Sequence, residues 1–261
     1  MPRIALTLLL AFSCGPLGAD KWGAIQGQIV VEGEMPPRQM LIAKNSNVKD
    51  KEICAIENHL AEDLMIEKDS RGLGNVFVYL SKTPKQIHPD LKATPKEPVQ
   101  VTTEKCQFVP HCLICRTDQV IEIRSDDSVG HYPNSNPQAN PLKARLVSPP
   151  LQAPEVFRFK YPNAESIPMK VTCDFHSWMK GYWLLLDHPY AALTDKDGKF
   201  QIENLPIGNH EFRVWHERVG YIERKYKVAV TAGDPVLLPS MIVHVDKLKK
   251  AISLPADNRQ R

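Results

Sequence analysis

Val171-Thr172-Cys173-Asp174-Phe175-His176-Ser177-Trp178-Met179 decides how the chain is read. The runs on either side, 169–173 and 182–186, are short and rich in β-branched and aromatic residues, so the nonapeptide is a turn-like loop between two strands. It carries Cys, His and Met at C-x2-H-x2-M spacing. A thiolate, an imidazole and a thioether this close together form a soft ligand set, which selects copper over magnesium, calcium or manganese. A blue-copper site takes two His and one Cys, with Met as a long axial ligand, and the loop supplies three of these four. Taken singly, Cys173 reads as a small buried hydrophobe and Met179 as a core filler. Together they agree in identity and spacing with one geometry. Zinc is the next metal, but its sites seldom include Met and the spacing is not that of a zinc ribbon. The remaining alternative is a fold that has lost its metal.

The missing imidazole must come from a neighbouring strand end. His131 is the best candidate: it closes a strand-like run, 120–124, and the polar turn that follows, 42 residues before Cys173. Further strand-like runs are 24–31, 75–80, 99–102, 156–161, 199–202, 211–215, 226–230 and 240–245, most of them bounded by Pro, Gly, Asn or Asp. Asp195-Lys196-Asp197-Gly198 reads as a tight hairpin turn, with Gly supplying a positive φ. A calcium loop that opens Asp-x-Asp needs Gly at its sixth position, which here is Phe200. Residues 132–154 lack periodicity and read as a long loop, the kind that is more often functional or mobile than filler. Residues 44–51 read as a connector.

Composition narrows the classes. Among 261 residues, 33 basic and 30 acidic side chains leave a net charge of +3, too near balance for a nucleic-acid protein. Twenty-two prolines suit short strands and turns rather than helices, and no apolar run reaches the ~18 residues of a membrane span. Arg3, the apolar stretch 4–12 and the small residues up to Ala19 have the layout of a secretory signal, so residues 1–19 are expected to be removed on export. Cleavage as a lipoprotein before Cys14 is the less favoured variant, because Phe12 fits poorly in a small-residue box. Export places the mature chain, periplasmic or at the cell surface, where disulfides persist.

Residues 97–187 resemble the cupredoxins, and the ligand loop is similar to that of amicyanin, a short-loop member. The resemblance implies His131, Cys173 and His176 as equatorial ligands of one type 1 copper ion, with Met179 axial. A wider resemblance rests on Gly74-Asn75-Val76-Phe77-Val78-Tyr79-Leu80, Cys106-Gln107-Phe108-Val109-Pro110-His111, Asp187-His188-Pro189-Tyr190 and Val214-Trp215-His216-Glu217. These are similar to secreted bacterial cupredoxin-like proteins often labelled methylamine utilization proteins. Thr194-Asp195-Lys196-Asp197-Gly198-Lys199-Phe200 and Asn204-Leu205-Pro206-Ile207-Gly208 also resemble the carboxypeptidase-regulatory, transthyretin-like β-sandwich.

The expected fold is therefore all-β: a cupredoxin Greek-key sandwich (97–187) inserted in or packed beside a transthyretin-like sandwich made of 20–96 and 188–246, with 247–261 as a tail. The chain departs from the relatives at two places. Tyr132 stands where they place Asn, and Ser177 where they place Pro. Outer-shell groups tune a metal, so Tyr132 bears on affinity and potential. The resemblance, with export, also implies a Cys54–Cys106 disulfide, although Cys54, Cys106, Cys112 and Cys115 permit three pairings. Cys112 and Cys115 fall in a predicted strand, where residues three apart lie ~10 Å apart on opposite faces, so they read as buried thiols.

His111 and His216 read as structural hydrogen-bonding residues, and His59, His88, His188, His210 and His244 as surface or turn residues. In cupredoxins the loop His exposes its ring edge through an apolar patch. That implies His176 and Trp178 as the electron port, with Phe175 and Met169 nearby. The expected function is an exported carrier of single electrons between redox partner proteins, with no nucleic-acid partner. The alternative is a binding module for a surface glycan or protein whose cupredoxin domain stores copper or has lost it. An enzyme ranks last, for want of a second Cys/His/Met cluster.

Overall fold

The computed structural model describes residues 21–145, 147 and 156–249. The expected export segment, Cys14 and most of the tail lie outside them. In chain order the first strands are β1 (Trp22–Glu32), β2 (Met40–Ile42), β3 (His59–Leu60), β4 (Phe77–Leu80), β5 (Val99–Glu104), β6 (Gln107–Val109), β7 (Cys112–Arg116), β8 (Ile121–Ser125) and β9 (Pro133–Asn136). There follow β10 (Phe157–Phe159), β11 (Met169–Cys173), β12 (Lys180–Leu186), β13 (Ala191–Leu193), β14 (Lys199–Pro206), β15 (Gly208–His216), β16 (Gly220–Val230), β17 (Val236–Leu237) and β18 (Met241–His244). Three short helices are α1 (Lys51–Cys54), α2 (Pro89–Lys92) and α3 (Val245–Lys249). No described helix is long and apolar enough to cross a membrane.

Strands β5–β12 form two four-stranded sheets, ordered β10-β8-β5-β6 and β7-β12-β11-β9. The pairs β5/β8 and β7/β12 are parallel, so this sandwich is a Greek key rather than a meander of hairpins. Two further sheets, β14-β1-β17 with β18 added on β1 and β13-β4-β15-β16, make a second sandwich. Strands β4 and β13 pair directly although all of β5–β12 lies between them in sequence. The protein is all-β, with one sandwich threaded between two neighbouring strands of the other.

Side-chain alternation shows how the sandwiches meet. In β4, Val78 and Leu80 join one core with Ile25, Ile29 and Phe212, while Phe77 and Tyr79 turn the other way. In β12, Trp183 and Leu185 face the Greek-key core with Val101, Phe108 and Ile123, while Leu184 and Leu186 turn outward to Phe77, Tyr79 and Trp215. Successive strand residues point to opposite faces, so β4 and β12 are buried on both faces and read as continuous apolar runs. Four sheets thus stack in one pile with three apolar layers between them. Each fully buried large side chain contributes about 1.5–3 kcal/mol relative to exposure. Cys112 falls in the middle layer and Cys115 in the Greek-key core, so these free thiols occupy opposite faces of β7.

Three local expectations need correction. Residues 132–154 are not simply loop: Pro133–Asn136 forms β9 against β11, with bridges His131–Val147 and Asn134–Ala144 behind it. Pro-Asn-Ser-Asn has little strand propensity of its own, and its backbone is ordered by the partner strand. The turn at Asp195–Gly198 closes with Gly198 at φ 73°, but it passes the chain from β13 in one sheet to β14 in the other, so it is no hairpin. His59 and His188 are buried, not surface residues, at 3% and 2% exposure.

Beneath that turn Gly72 and Gly198 cross at backbone contact. A Cβ on Gly72 would lie 1.9 Å from the carbonyl carbon of Asp197, and one on Gly198 would lie 2.1 Å from the Ile29 oxygen. Backbone cannot rotate aside as a side chain can. Gly72→Ala is therefore expected to cost about 2 kcal/mol or more, at the upper end for overpacking, read as a lower urea midpoint with unchanged slope. A midpoint equal to wild type contradicts this packing.

Candidate metal centre

Register brings the predicted ligands together. Antiparallel pairing sets Cys173, the last residue of β11, opposite Pro133, the first of β9. His131, two residues earlier, therefore lies beside the sulfur. Its backbone is held by reciprocal hydrogen bonds with Val147 at 3.0 and 2.8 Å. His176 returns to the same point because the loop 174–179 is tight, with the Met179 N–H donating to the His176 carbonyl at 3.0 Å.

The two Nδ1 atoms lie 3.1 Å apart, and Cys173 Sγ stands 3.9 Å from His131 Nδ1 and 3.7 Å from His176 Nδ1. Both imidazoles are 0% exposed, and the thiol is 3% exposed. Met179 is buried in the same core as Cys173, and its carbonyl accepts from the Cys173 N–H.

Each imidazole is oriented from behind. His131 Nε2 meets Asp127 Oδ2 at 2.8 Å, and His176 Nε2 meets Asp50 Oδ2 at 2.9 Å. With both Nε2 atoms engaged by carboxylates, both Nδ1 atoms converge on the sulfur, as outer-shell bonding dictates. Asp127 also accepts from the backbone N–H groups of Lys105 and Cys106. That ties the His131 support to a disulfide between Cys54 and Cys106, which the structure contains. Asp50 sits at the start of α1, four residues before Cys54, so the same disulfide holds the segment that covers His176.

These contacts set the charges. Burial pushes the Cys173 thiol up, but hydrogen bonds from His131, His176 and the backbone N–H groups of Tyr132 and Phe175 outweigh it and bring the group down to about 6. Burial pushes His131 down, and its hydrogen bond to Asp127 outweighs that and raises it. Burial likewise pushes Asp127 up, against hydrogen bonds from His131 and Cys106 that hold it below its ordinary value. The sulfur is held as a thiolate at neutral pH, the form in which cysteine binds metal.

The donor set also fits one ion on distance. Bonds of about 2.0 Å to nitrogen and 2.3 Å to sulfur, opened to 120°, separate N from S by about 3.7 Å and N from N by about 3.5 Å. The observed N–S separations of 3.7 and 3.9 Å lie close to this, and the N–N separation of 3.1 Å has to open by about 0.4 Å.

Tyr132 acts through its backbone: its N–H donates to Cys173 Sγ at 3.3 Å and its carbonyl accepts from the Asp174 N–H at 3.0 Å. Its ring lies 5.9 Å from that of Phe175. Two residues on, the Asn134 amide donates to the Asp174 carboxylate at 3.3 Å and ties β9 to the loop.

The exposed port that the resemblance implies is not what the structure places here. His176 is wholly buried under Asp50, and Met169 is 2% exposed. Trp178 is half-buried, with Nε1 donating to the Cys106 carbonyl at 3.2 Å. Only Phe175 is exposed, with the Lys49 ammonium 4.1 Å from its ring centre. The physical cause is the segment around α1, which the disulfide draws over the loop. Asp50, 126 positions from His176, leaves no signal in the sequence, and for Asp127 the one local signal is an acid four residues before His131.

No protein-family profile and no curated protein matches the chain. Among solved structures it is similar to a copper-containing nitrite reductase (NirK) from Thermus scotoductus SA-01, at 18% identity over 41% of this chain and 25% of that one, with a TM-score of 0.28. It thus spans about a quarter of the reductase. It is also similar to the Cu(I) form of an amicyanin mutant, at 10% identity over 42% of this chain and 98% of that one, with a TM-score of 0.30. A purple cupredoxin from Nitrosopumilus maritimus matches at 21% identity over 33% of this chain and 97% of that one, with a TM-score of 0.26.

Proposed function

We propose that the chain is an exported type 1 copper protein that carries single electrons between partner proteins. The observation that carries this reading is the convergence of His131 Nδ1, His176 Nδ1 and Cys173 Sγ within 3.9 Å, each imidazole anchored from behind by a carboxylate. His131, Cys173 and His176 would hold the copper, with Met179, buried in the same core, as a further soft donor. The bound ion supplies a one-electron couple.

The chain's own residues do the rest. Asp127 and Asp50 fix both ring orientations, so the imidazoles keep one geometry in either oxidation state. The Tyr132 N–H on the sulfur withdraws electron density from it, and hydrogen bonds to the sulfur tune the potential of such sites. Burial of all three donors excludes water. Since His176 is covered, electrons would pass by way of Phe175 and Trp178 or after movement of the α1 segment. The second sandwich would serve as an accessory domain.

The ligand roles are tested by reconstitution. His131→Ala is expected to lower copper affinity at least tenfold and to lose the intense thiolate-to-copper band, while Tyr132→Asn keeps it. A band that survives His131→Ala overturns the ligand assignment. Wild-type protein purified from its exported compartment without copper, but binding a polymer, favours the accessory-module reading instead.

A further inference from the structure

A second group of ligating side chains is buried where the two sandwiches meet. His111 and Cys112, at the start of β7, are each 5% exposed, and Cys112 is a free thiol. Glu217, directly after β15, has a side chain 2% exposed; its Oε1 contacts His111 Nε2, and its Oε2 lies 3.1 Å from Lys180 Nζ. One ligand atom from each of His111, Cys112 and Glu217 lies within 4.8 Å of the other two. On the far side of the ring, His111 Nδ1 has no hydrogen-bond partner and stands 3.5 Å from Glu62 Oε2. No stretch of the sequence groups these side chains, because Glu217 and Cys112 are far apart in the chain and meet only across the stacked sheets.

We infer that His111, Cys112 and Glu217 form a second metal site, of zinc type, between the two sandwiches. One nitrogen, one sulfur and one carboxylate oxygen are the donor set of zinc, and three protein ligands leave a fourth position for water. Glu62 beside the far ring nitrogen is the outer-shell carboxylate that orients a zinc-bound imidazole. Lys180, itself 3.1 Å from Asp63, holds Oε2 of Glu217, so that Oε1 turns from His111 Nε2 to the ion once the proton between them leaves. A cleft of about 340 Å³, lined by Glu62, His111 and Cys112 among others, gives the entry path. Binding replaces the Cys112 thiol proton and the proton shared by His111 and Glu217, and both leave to solvent; no oxidant or reductant takes part.

This site is independent of the copper reading, and its test removes the first centre. The full chain carrying Cys173→Ala is titrated with Zn²⁺ against a chromophoric chelator, and with Co²⁺ as a spectroscopic stand-in for zinc. One equivalent of zinc at submicromolar affinity and a thiolate-to-cobalt band are expected. Adding Cys112→Ser abolishes the band, adding Cys115→Ser leaves it, and adding Glu217→Gln weakens zinc at least tenfold. No zinc uptake by the Cys173→Ala chain, or a cobalt band that survives Cys112→Ser, overturns the inference. Equilibrium dialysis of the wild-type chain gives an independent count: retention of no zinc overturns it whichever variants fold.

Discussion

Replacing both Cys54 and Cys106 by Ser is expected to lower stability by about 4 kcal/mol and to weaken the metal centre in the same step. The bridge closes a loop of 52 residues, and chain entropy alone assigns a cross-link of that span about 4 kcal/mol at 25 °C. The second effect is local. Asp50 and Asp127 both hold their imidazoles from positions next to the bridge: Asp50 precedes Cys54 by one helical turn, and Asp127 accepts from the Cys106 N–H. Without the bridge the α1 segment can lift away, and His176 gains solvent and loses its carboxylate. A urea titration of the metal-free protein reads the first effect, and copper affinity reads the second. A variant with wild-type stability contradicts the entropic argument. One with full stability loss but unchanged copper affinity shows that the bridge does not position the ligands.

Acid is expected to destabilise the protein well before its carboxylates titrate. Burial pulls His188 down to about 4 and His216 likewise, against weaker opposing pulls from Asp187 and Glu217. In the unfolded chain both titrate near 6.5. Above that pH both states carry neutral rings and the groups contribute nothing to the difference. As pH falls from 6.5 toward 4 the unfolded chain takes up protons that the folded chain refuses, so stability falls through this window and levels off below it. At about 1.4 kcal/mol per pH unit, each ring contributes a loss of about 3 kcal/mol. His111 and His131 are raised instead, so their contributions run the other way, present in acid and lost as pH rises through their folded values. Comparison with a variant therefore isolates the effect: His188→Gln is expected to flatten the difference between urea midpoints at pH 7.5 and 4.5 by the equivalent of about 3 kcal/mol. An unchanged pH slope contradicts the burial argument for His188.

The parts of this structure that were legible in the sequence were those with local chemistry. Cys173 and His176 lie three residues apart, and His131 ends one polar turn, so spacing and donor identity sufficed to group these three. The opposed faces of Cys112 and Cys115 followed from strand alternation. What stayed hidden depends on contacts across layers. Asp50 reaches His176 only because a disulfide brings α1 onto the other sandwich, and no periodicity records that. Strand β9 takes its conformation from β11 rather than from Pro-Asn-Ser-Asn. His188 looked like a turn residue because Asp and Pro flank it, yet the stacking of four sheets buries it. His111, Cys112 and Glu217 are each ordinary in their own segments and become a ligand set only where β7 and β15 face one another.

The most direct test of the copper reading is an anaerobic titration of the full chain with Cu(II), followed by visible and spin-resonance spectra through one cycle of reduction and reoxidation. One equivalent should give an intense thiolate charge-transfer band and a narrow copper hyperfine splitting, both lost on taking up one electron, both restored on reoxidation and both absent in Cys173→Ala. A wild-type chain that takes up copper without that band, or a Cys173→Ala chain that shows it, contradicts the account.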